Sequence, residues 1–115
     1  MLRGEIRLTD LAPARPGEAD KRRPAIIVSN DRANATAARL GRGVITVVPV
    51  TSNTTRVFPF QVLLPAEETG LRVDSKAQAE QVRSVSIERI GPVIGHLPTH
   101  LVRVLDDALR LHLQL

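Results

Sequence analysis

The stretch that decides the fold is Val44-Ile45-Thr46-Val47-Val48-Pro49-Val50-Thr51-Ser52-Asn53, an almost wholly apolar run that ends in two hydroxyls and an amide. Its β-branched residues predict a strand buried on both faces. Pro49 lacks a backbone N–H, so we expect the strand to end or bulge there. Thr51 and Ser52 then lie at the rim of a core, on a rigid element that can preorganise a site.

A second segment has the mirrored layout, with charge first and an apolar strand after it: Lys21-Arg22-Arg23-Pro24-Ala25-Ile26-Ile27-Val28-Ser29. If this strand pairs with the first, a cationic rim and a hydroxyl rim lie close together. Pro24 also favours extended backbone at Arg23, which fixes the direction in which that side chain leaves the strand.

Length and composition limit the class of protein. A chain of 115 residues with 43% apolar residues predicts one domain, residues 1–115, with a single core. We expect no membrane span and no signal peptide, because no apolar run is long enough and the first residues lack the pattern. The chain has no cysteine, which excludes disulfides and thiolate metal sites and suits a cytoplasmic protein.

Positive charge is concentrated in the first half of the chain. Residues 1–56 hold ten Lys/Arg and five Asp/Glu, a net of +5, whereas residues 57–115 hold six and seven, a net of −1. This pattern is typical of proteins that bind a polyanion such as nucleic acid or an acidic peptide. It is equally typical of an ordinary basic protein. Phe58 and Phe60 are the only aromatic residues, so extensive base stacking is not expected.

The remaining pattern predicts a mostly β, α+β domain. We expect a helix over 32–40, capped by Asn30 or Asp31 and stopped by Gly41. Residues 76–86 are ambiguous between helix and strand. The other predicted elements are strands over 3–10, 24–29, 43–50, 57–64, 71–74 and 91–96, a long loop over 11–23, a turn over 65–70 and a helical turn over 87–90.

The last segment, residues 99–115, predicts an amphipathic helix. Its inner face would carry Leu101, Leu105, Ala108 and Leu115. Asp106 and Arg110 would form an i,i+4 ion pair on the wet side. Further leucines at 109, 111 and 113 widen the apolar surface, and a homodimer is one way to cover it.

Metal and cofactor chemistry are not expected. The three histidines, His96, His100 and His112, lie apart from any Asp/Glu cluster with ligand spacing. No glycine-rich phosphate loop follows a strand.

Four polar residues remain as candidates for chemistry. Arg23 suits bidentate contact with a phosphate, and Thr51 and Ser52 offer hydroxyls beside it. Glu18, in the long loop, could act as a base for a ribose 2′-hydroxyl. Together they predict metal-independent RNA cleavage that leaves a 2′,3′-cyclic phosphate and a 5′-hydroxyl. From spacing alone, a solvated cationic loop and two strand-end hydroxyls are the favoured interpretation.

Short motifs along nearly the whole chain resemble the MazF/PemK family of toxin endoribonucleases. The matching pieces are Arg3-Gly4-Glu5-Ile6, Asp10-Leu11-Ala12-Pro13, Glu18, Arg23-Pro24-Ala25, Val28-Ser29, Val48-Pro49-Val50-Thr51-Ser52, Phe58-Pro59-Phe60-Gln61-Val62 and Gln81-Val82-Arg83-Ser84. The chain departs from the family at Arg7 and Leu8, where an aromatic residue is usual, and at Pro16-Gly17-Glu18, where many members have Gly-Ser-Glu.

The resemblance implies an SH3-like β-barrel of the CcdB/PemK type with a C-terminal helix, forming a homodimer. It implies a sequence-specific endoribonuclease that cleaves single-stranded RNA, mRNA foremost, as the growth-arresting toxin of a type II toxin–antitoxin pair. A cognate antitoxin with a disordered acidic tail would occupy the same groove. Alternatives on this fold are a CcdB-like poison of DNA gyrase and a catalytically silent module that binds RNA or antitoxin.

Carried over by position, Arg23 and Thr51 match the family's catalytic arginine and threonine, and Glu18 matches a glutamate with a supporting or base role. Arg23 would mainly stabilise charge, since its guanidinium does not readily titrate, and proton donation to the leaving oxygen is a further candidate role. The candidates for RNA contact are Ser52, Asn53, Arg56, Gln78, Gln81 and Arg83.

Overall fold

The computed structural model describes residues 1–11 and 22–115, and in this part the chain forms seven strands, three α-helices and two short 3-10 helices. The strands are β1 (Glu5–Asp10), β2 (Arg22–Ile27), β3 (Val44–Thr51), β4 (Gln61–Leu64), β5 (Ser75–Gln78), β6 (Arg83–Ser86) and β7 (Ile90–His96). The α-helices are α1 (Asp31–Leu40), α2 (Ala66–Thr69) and α3 (Thr99–Leu113), and the 3-10 helices are Ala79–Gln81 and Ile87–Arg89.

The strands form one antiparallel sheet in the order β4-β5-β3-β2-β1-β7. Strand β3 is its centre, because it pairs with β2 along one edge and with both β6 and β5 along the other. This architecture confirms the predicted mostly β fold with a C-terminal helix.

Pro49 does not end the central strand, so of the two outcomes expected there, an end or a bulge, the end was wrong. On one edge of β3, pairing with β6 stops at Val47 and pairing with β5 starts at Val50. The ladder on that edge is therefore already interrupted where Pro49 lies. A residue without an N–H is tolerated at such an interruption, and β3 continues to Thr51.

Burial of β3 on both faces is confirmed. Val48 and Val50 point into the larger apolar cluster, which α3 closes with its inner face. Val47 points the other way, into a smaller cluster closed by Ala37 of α1. Val47 and Val48 are both completely buried, and such burial of β-branched side chains on two faces is what makes β3 rigid.

Helix α1 has the predicted ends. The side chain of Asn30 accepts a hydrogen bond from the backbone N–H of Ala33 at 2.8 Å. Gly41 ends the helix with a φ of 66°, a left-handed conformation that glycine adopts without strain.

Helix α3 agrees with its prediction only in part. Leu101, Leu105 and Ala108 are buried as expected, but Leu115 is 84% exposed because the helix ends at Leu113. The predicted Asp106–Arg110 pair was also wrong. Asp106 instead binds the guanidinium of Arg3 at 2.6 Å, and Arg110 pairs with Asp107 at 3.0 Å.

Several boundaries differ from the sequence prediction. The strand expected over 57–64 starts only at Gln61, because Phe58 and Pro59 lie in an exposed turn. Residues 71–74 are not a strand, and the ambiguous segment 76–86 contains most of β5, a 3-10 helix and β6. The predicted turn over 65–70 contains α2, and β2 runs from Arg22 to Ile27 rather than over 24–29.

Candidate nucleic-acid interface

The pairing of β2 with β3 brings the two predicted rims together. Ala25 lies opposite Pro49, and continuing this antiparallel register by two residues places Arg23 beside Thr51. On the other side of β2, Thr9 of β1 is the register partner of Arg23. Arg23 and Thr51 line the same pocket, together with Ser52. The structure thus confirms that the cationic rim and the hydroxyl rim are adjacent.

The pocket has a volume of about 560 Å³ and combines three kinds of surface. Three arginines line it, Arg22, Arg23 and Arg72, and so do three residues with hydroxyl side chains, Thr51, Ser52 and Ser75. The rest is mainly apolar, from Leu8, Pro24, Val50, Leu71, Val73 and Ile94, with Gly70 between. Clustered arginines beside hydroxyls suit phosphate, and an apolar wall suits the flat face of a base.

Arg23 and Thr51 both have capacity left for a ligand. Arg23 is exposed, and its side chain makes no hydrogen bond or ion pair with another residue in 1–11 or 22–115. Thr51 is half-buried, and its Oγ1 accepts a hydrogen bond from the backbone N–H of Asn53 at 3.3 Å. Because the oxygen is the acceptor there, the hydroxyl hydrogen of Thr51 remains available to donate.

The segment after Thr51 forms a structured loop. The side chain of Asn53 accepts from the N–H of Thr55 at 3.2 Å. The guanidinium of Arg56 lies 5.1 Å from the ring centroid of Phe58, a cation–π contact. Phe58 and Phe60 are parallel, with centroids 5.3 Å apart. The loop that contains Asn53 and Arg56 therefore begins at the pocket, although neither residue lines the pocket.

The other predicted contact residues lie outside the pocket. Gln78 is half-buried in β5, opposite Gln61, and Gln81 is exposed at the end of a 3-10 helix. Arg83 is exposed on β6 and donates to the carbonyl oxygen of Leu11 at 3.0 Å. Glu18 falls outside the described residues.

Arg72 and Ser75 are pocket residues that the sequence reasoning missed. Both follow α2, more than twenty residues after Thr51 along the chain. Arg72 lies in the segment 71–74, which we expected to be a strand, and Ser75 comes directly after it. Gly70, with a φ of 82°, turns the chain after α2 and brings Leu71 and Arg72 to the pocket. No local motif marks this return, so only the three-dimensional structure reveals it.

Leu8 of β1 lines the pocket, and hydrogen bonds of its neighbour Arg7 hold this strand in place. Arg7 donates to the carbonyl oxygen of Gly91 in β7 at 2.7 Å and to the carboxylate of Glu5 at 2.9 Å. Burial raises the pKa of Glu5, but hydrogen bonds from Arg7 and the backbone, together with nearby positive charge, outweigh it. The pKa of Glu5 is therefore lower than its ordinary value.

Within residues 1–11 and 22–115, no three His, Cys, Asp or Glu side chains are grouped so that they could hold a metal ion. The histidines are exposed, and His100 pairs with Glu68 at 2.9 Å. In the same residues no helix is both long and apolar enough to cross a membrane.

Comparison with known proteins gives matches over almost the full length. The model of a family described as PemK-like, MazF-like toxin of type II toxin-antitoxin system matches residues 2–113. Endoribonuclease MazF9 of Mycobacterium tuberculosis is 64% identical over 115 residues, covering 100% of this chain and 98% of that protein. Endoribonuclease EndoA of Bacillus subtilis is 29% identical over 114 residues, covering 98% and 94%.

Solved structures agree at the level of the fold. MazF from Deinococcus radiodurans superposes with a TM-score of 0.78 at 24% identity, covering 100% of this chain and 97% of that one. A mycobacterial endoribonuclease in complex with its cognate antitoxin gives a TM-score of 0.75 at 22% identity, covering 100% and 96%.

Proposed function

Because the chain belongs to the PemK-like, MazF-like toxins of type II toxin–antitoxin systems, we propose that it is an endoribonuclease that arrests growth by cutting single-stranded RNA in the cytoplasm. The family match over residues 2–113 supports a single toxin domain. The observation that carries the proposal is the meeting of Arg23 and Thr51 in one pocket with two further arginines. That arrangement suits a phosphodiester and the charge that builds on it during cleavage.

The proposed reaction is an internal transfer. The ribose 2′-oxygen attacks the adjacent phosphorus, the bond to the 5′-oxygen breaks, and a 2′,3′-cyclic phosphate and a 5′-hydroxyl result. Arg23 stabilises the charge on the non-bridging phosphoryl oxygens, and Thr51 donates its hydroxyl hydrogen to one of them. Glu18 accepts the 2′-hydroxyl proton, and Arg23 donates a proton to the leaving 5′-oxygen and regains one from solvent as Glu18 loses its own. No metal ion takes part.

RNA contacts beyond the reacting phosphate are assigned by distance from the pocket. Ser52 and Arg72 line it and would hold the neighbouring phosphates. Asn53 and Arg56 follow in the loop and would bind the next nucleotide. Gln78, Gln81 and Arg83 would meet RNA only where it extends past the pocket.

Two protein partners complete the proposal. The first is a second copy of the chain, forming a homodimer. The second is an antitoxin whose acidic tail competes with RNA for the arginine-lined pocket. Its support is the positive charge of the first half of the chain and the family's membership of toxin–antitoxin pairs.

The deciding experiment incubates the protein with a long RNA in excess EDTA and maps new 5′-hydroxyl ends by sequencing. We expect ends clustered at a short shared motif, and none with Arg23→Ala or Thr51→Ala. Both variants should unfold at the wild-type temperature, because Arg23 is exposed and Thr51 lies at a strand end. Intact RNA from the folded wild-type protein would instead favour the gyrase poison or the silent binding module.

A further inference from the structure

Lys76 is a charged residue in an unusual place. It lies within β5, and only 7% of it is exposed. Its register neighbours are Thr51 on β3 and Leu63 on β4. Lysine is almost never this buried without a partner, so we expect its ammonium group to be bound by another group. The proposed cleavage reaction does not use it.

The face of the sheet from which Lys76 projects is the outer one. Its neighbour Ala77 points into the larger apolar cluster, as do Val50 and Val62 beside it. Side chains alternate along a strand, so Lys76 points to the opposite face, as do Thr51 and Leu63. Leu63 is 47% exposed there. Lys76 is buried on this same face, and its Nζ donates to the carbonyl oxygen of Arg56, which belongs to the loop that follows Thr51.

A second side chain from this face holds the same loop. The side-chain oxygen of Gln61 accepts from the backbone N–H of Phe58 at 3.2 Å. Its amide nitrogen donates to the carboxylate of Glu80 at 2.7 Å, which fixes the orientation of the amide. A carbonyl group and an N–H group two residues apart in the loop are thus each bound by a side chain of the sheet.

We propose that Lys76 is a positioning residue, which holds the loop over 52–60 in one conformation beside Thr51. A hydrogen bond from an ammonium group to a carbonyl oxygen is stronger than a neutral one, and burial shields it from water. The loop then presents Asn53 and Arg56 next to the pocket. The effect on RNA rests on the proposed function, whereas the effect on the loop does not.

Lys76→Met is the sharpest test, because methionine keeps most of the apolar stem and removes the charge. We expect amide hydrogen exchange over residues 53–57 to become about tenfold faster or more, while exchange in β3 and β5 stays slow. We expect kcat/KM for RNA cleavage to fall about tenfold, mainly through KM, since the loop binds RNA and does not react.

Two further variants keep the result interpretable. Gln61→Leu removes the other sheet-to-loop bond and should speed exchange in the same residues, even if Lys76→Met folds poorly. Arg103→Met removes an exposed positive charge on α3 and should change neither exchange over 53–57 nor kcat/KM by more than about twofold.

Unchanged exchange over 53–57 in Lys76→Met and in Gln61→Leu would overturn the inference. Faster exchange with undiminished cleavage would also overturn it, because the loop would then have no role at the site. Exchange is measured on the free protein, so the loop's dependence on Lys76 is decided even if the wild-type protein cuts no RNA.

Discussion

At the scale of single residues, the pocket contains more positive charge than the chemistry at one phosphate needs. Arg72 is exposed and, among the described residues, makes no hydrogen bond or ion pair. We expect Arg72→Gln to weaken RNA binding and to reduce the slope of log affinity against log salt by about one. The measurement is binding of a 2′-O-methyl RNA, which cannot be cut, over a range of NaCl concentrations.

Arg103→Gln is the matched control for Arg72, since it removes the same exposed charge from the distant helix α3. Its salt slope should equal that of the wild-type protein. If Arg72→Gln also left the slope unchanged, the third arginine would not contact phosphate.

Glu5 gives a residue-scale prediction about acid. Its pKa is lower in the folded protein than in the unfolded chain, so its contribution to stability is complete above the unfolded value of about 4.5. That contribution is lost as the pH falls through the lower, folded value. We expect Glu5→Gln to lower the melting temperature at pH 7, and the difference from wild type to shrink below about pH 4.

Melting curves of wild type and Glu5→Gln between neutral and acid pH check this. A difference in melting temperature that stayed constant across the range would show that the Glu5 carboxylate does not stabilise the fold.

At the scale of elements, the approach of β7 to α2 is set by a glycine. A Cβ on Gly95 would lie 2.4 Å from the carbonyl oxygen of Thr69 and 3.4 Å from Cδ1 of Ile6. We expect Gly95→Ala to push α2 outward and to destabilise the protein by about 1–3 kcal/mol, as overpacking does. Chemical denaturation measures this, with the exposed Ser84→Ala on β6 as a control that should cost less than about 0.5 kcal/mol.

Gly95→Ala should also affect RNA. Gly70 and Leu71 follow Thr69 directly and line the pocket, so moving α2 moves that wall. A variant with wild-type stability would show that the carbonyl of Thr69 yields without cost.

The strands and helices also show which features of the fold can be predicted from the sequence. Strand β3 could be predicted because its run of β-branched apolar residues, which includes Val47, Val48 and Val50, favours a buried strand by itself. Helix α1 was foreseen because Asn30 and Gly41 act locally. The end of β3 was misjudged because the tolerance for Pro49 depends on where β6 and β5 meet, which is a property of pairing. The start of β4 was misjudged because Phe58 and Phe60 look like core residues but pack on each other.

For the candidate site, sequence pattern alone named Glu18, Arg23, Thr51 and Ser52 as candidates, and it placed the cationic rim beside the hydroxyl rim on the condition that the two strands pair. It missed Arg72 because the position of Arg72 at the pocket depends on the turn at Gly70 and on the packing of α2 against β7. The roles of these residues in RNA binding remain predictions for the experiments above.

At the scale of the whole molecule, the outer side of α3 carries an apolar stripe. Val104 and Leu111 lie seven residues apart on one side of this helix and are 45% and 57% exposed. We expect a homodimer that covers this stripe, and Leu111→Glu to shift it toward monomer. Light scattering after size exclusion measures the mass. His112→Glu, the next residue but off the stripe, should stay dimeric.

A monomeric wild-type protein at micromolar concentration would rule out the proposed homodimer. A Leu111→Glu protein that stays dimeric would place the interface elsewhere on the surface.

The position of α3 also sets the order of events at synthesis. The larger apolar cluster is closed by Leu101, Leu105 and Ala108, which are translated after every strand. A domain folds as a unit, so the nascent chain has no finished core until these residues have left the ribosome. A protein that cuts RNA would therefore stay harmless to the message that encodes it until α3 of that copy has been translated and has docked.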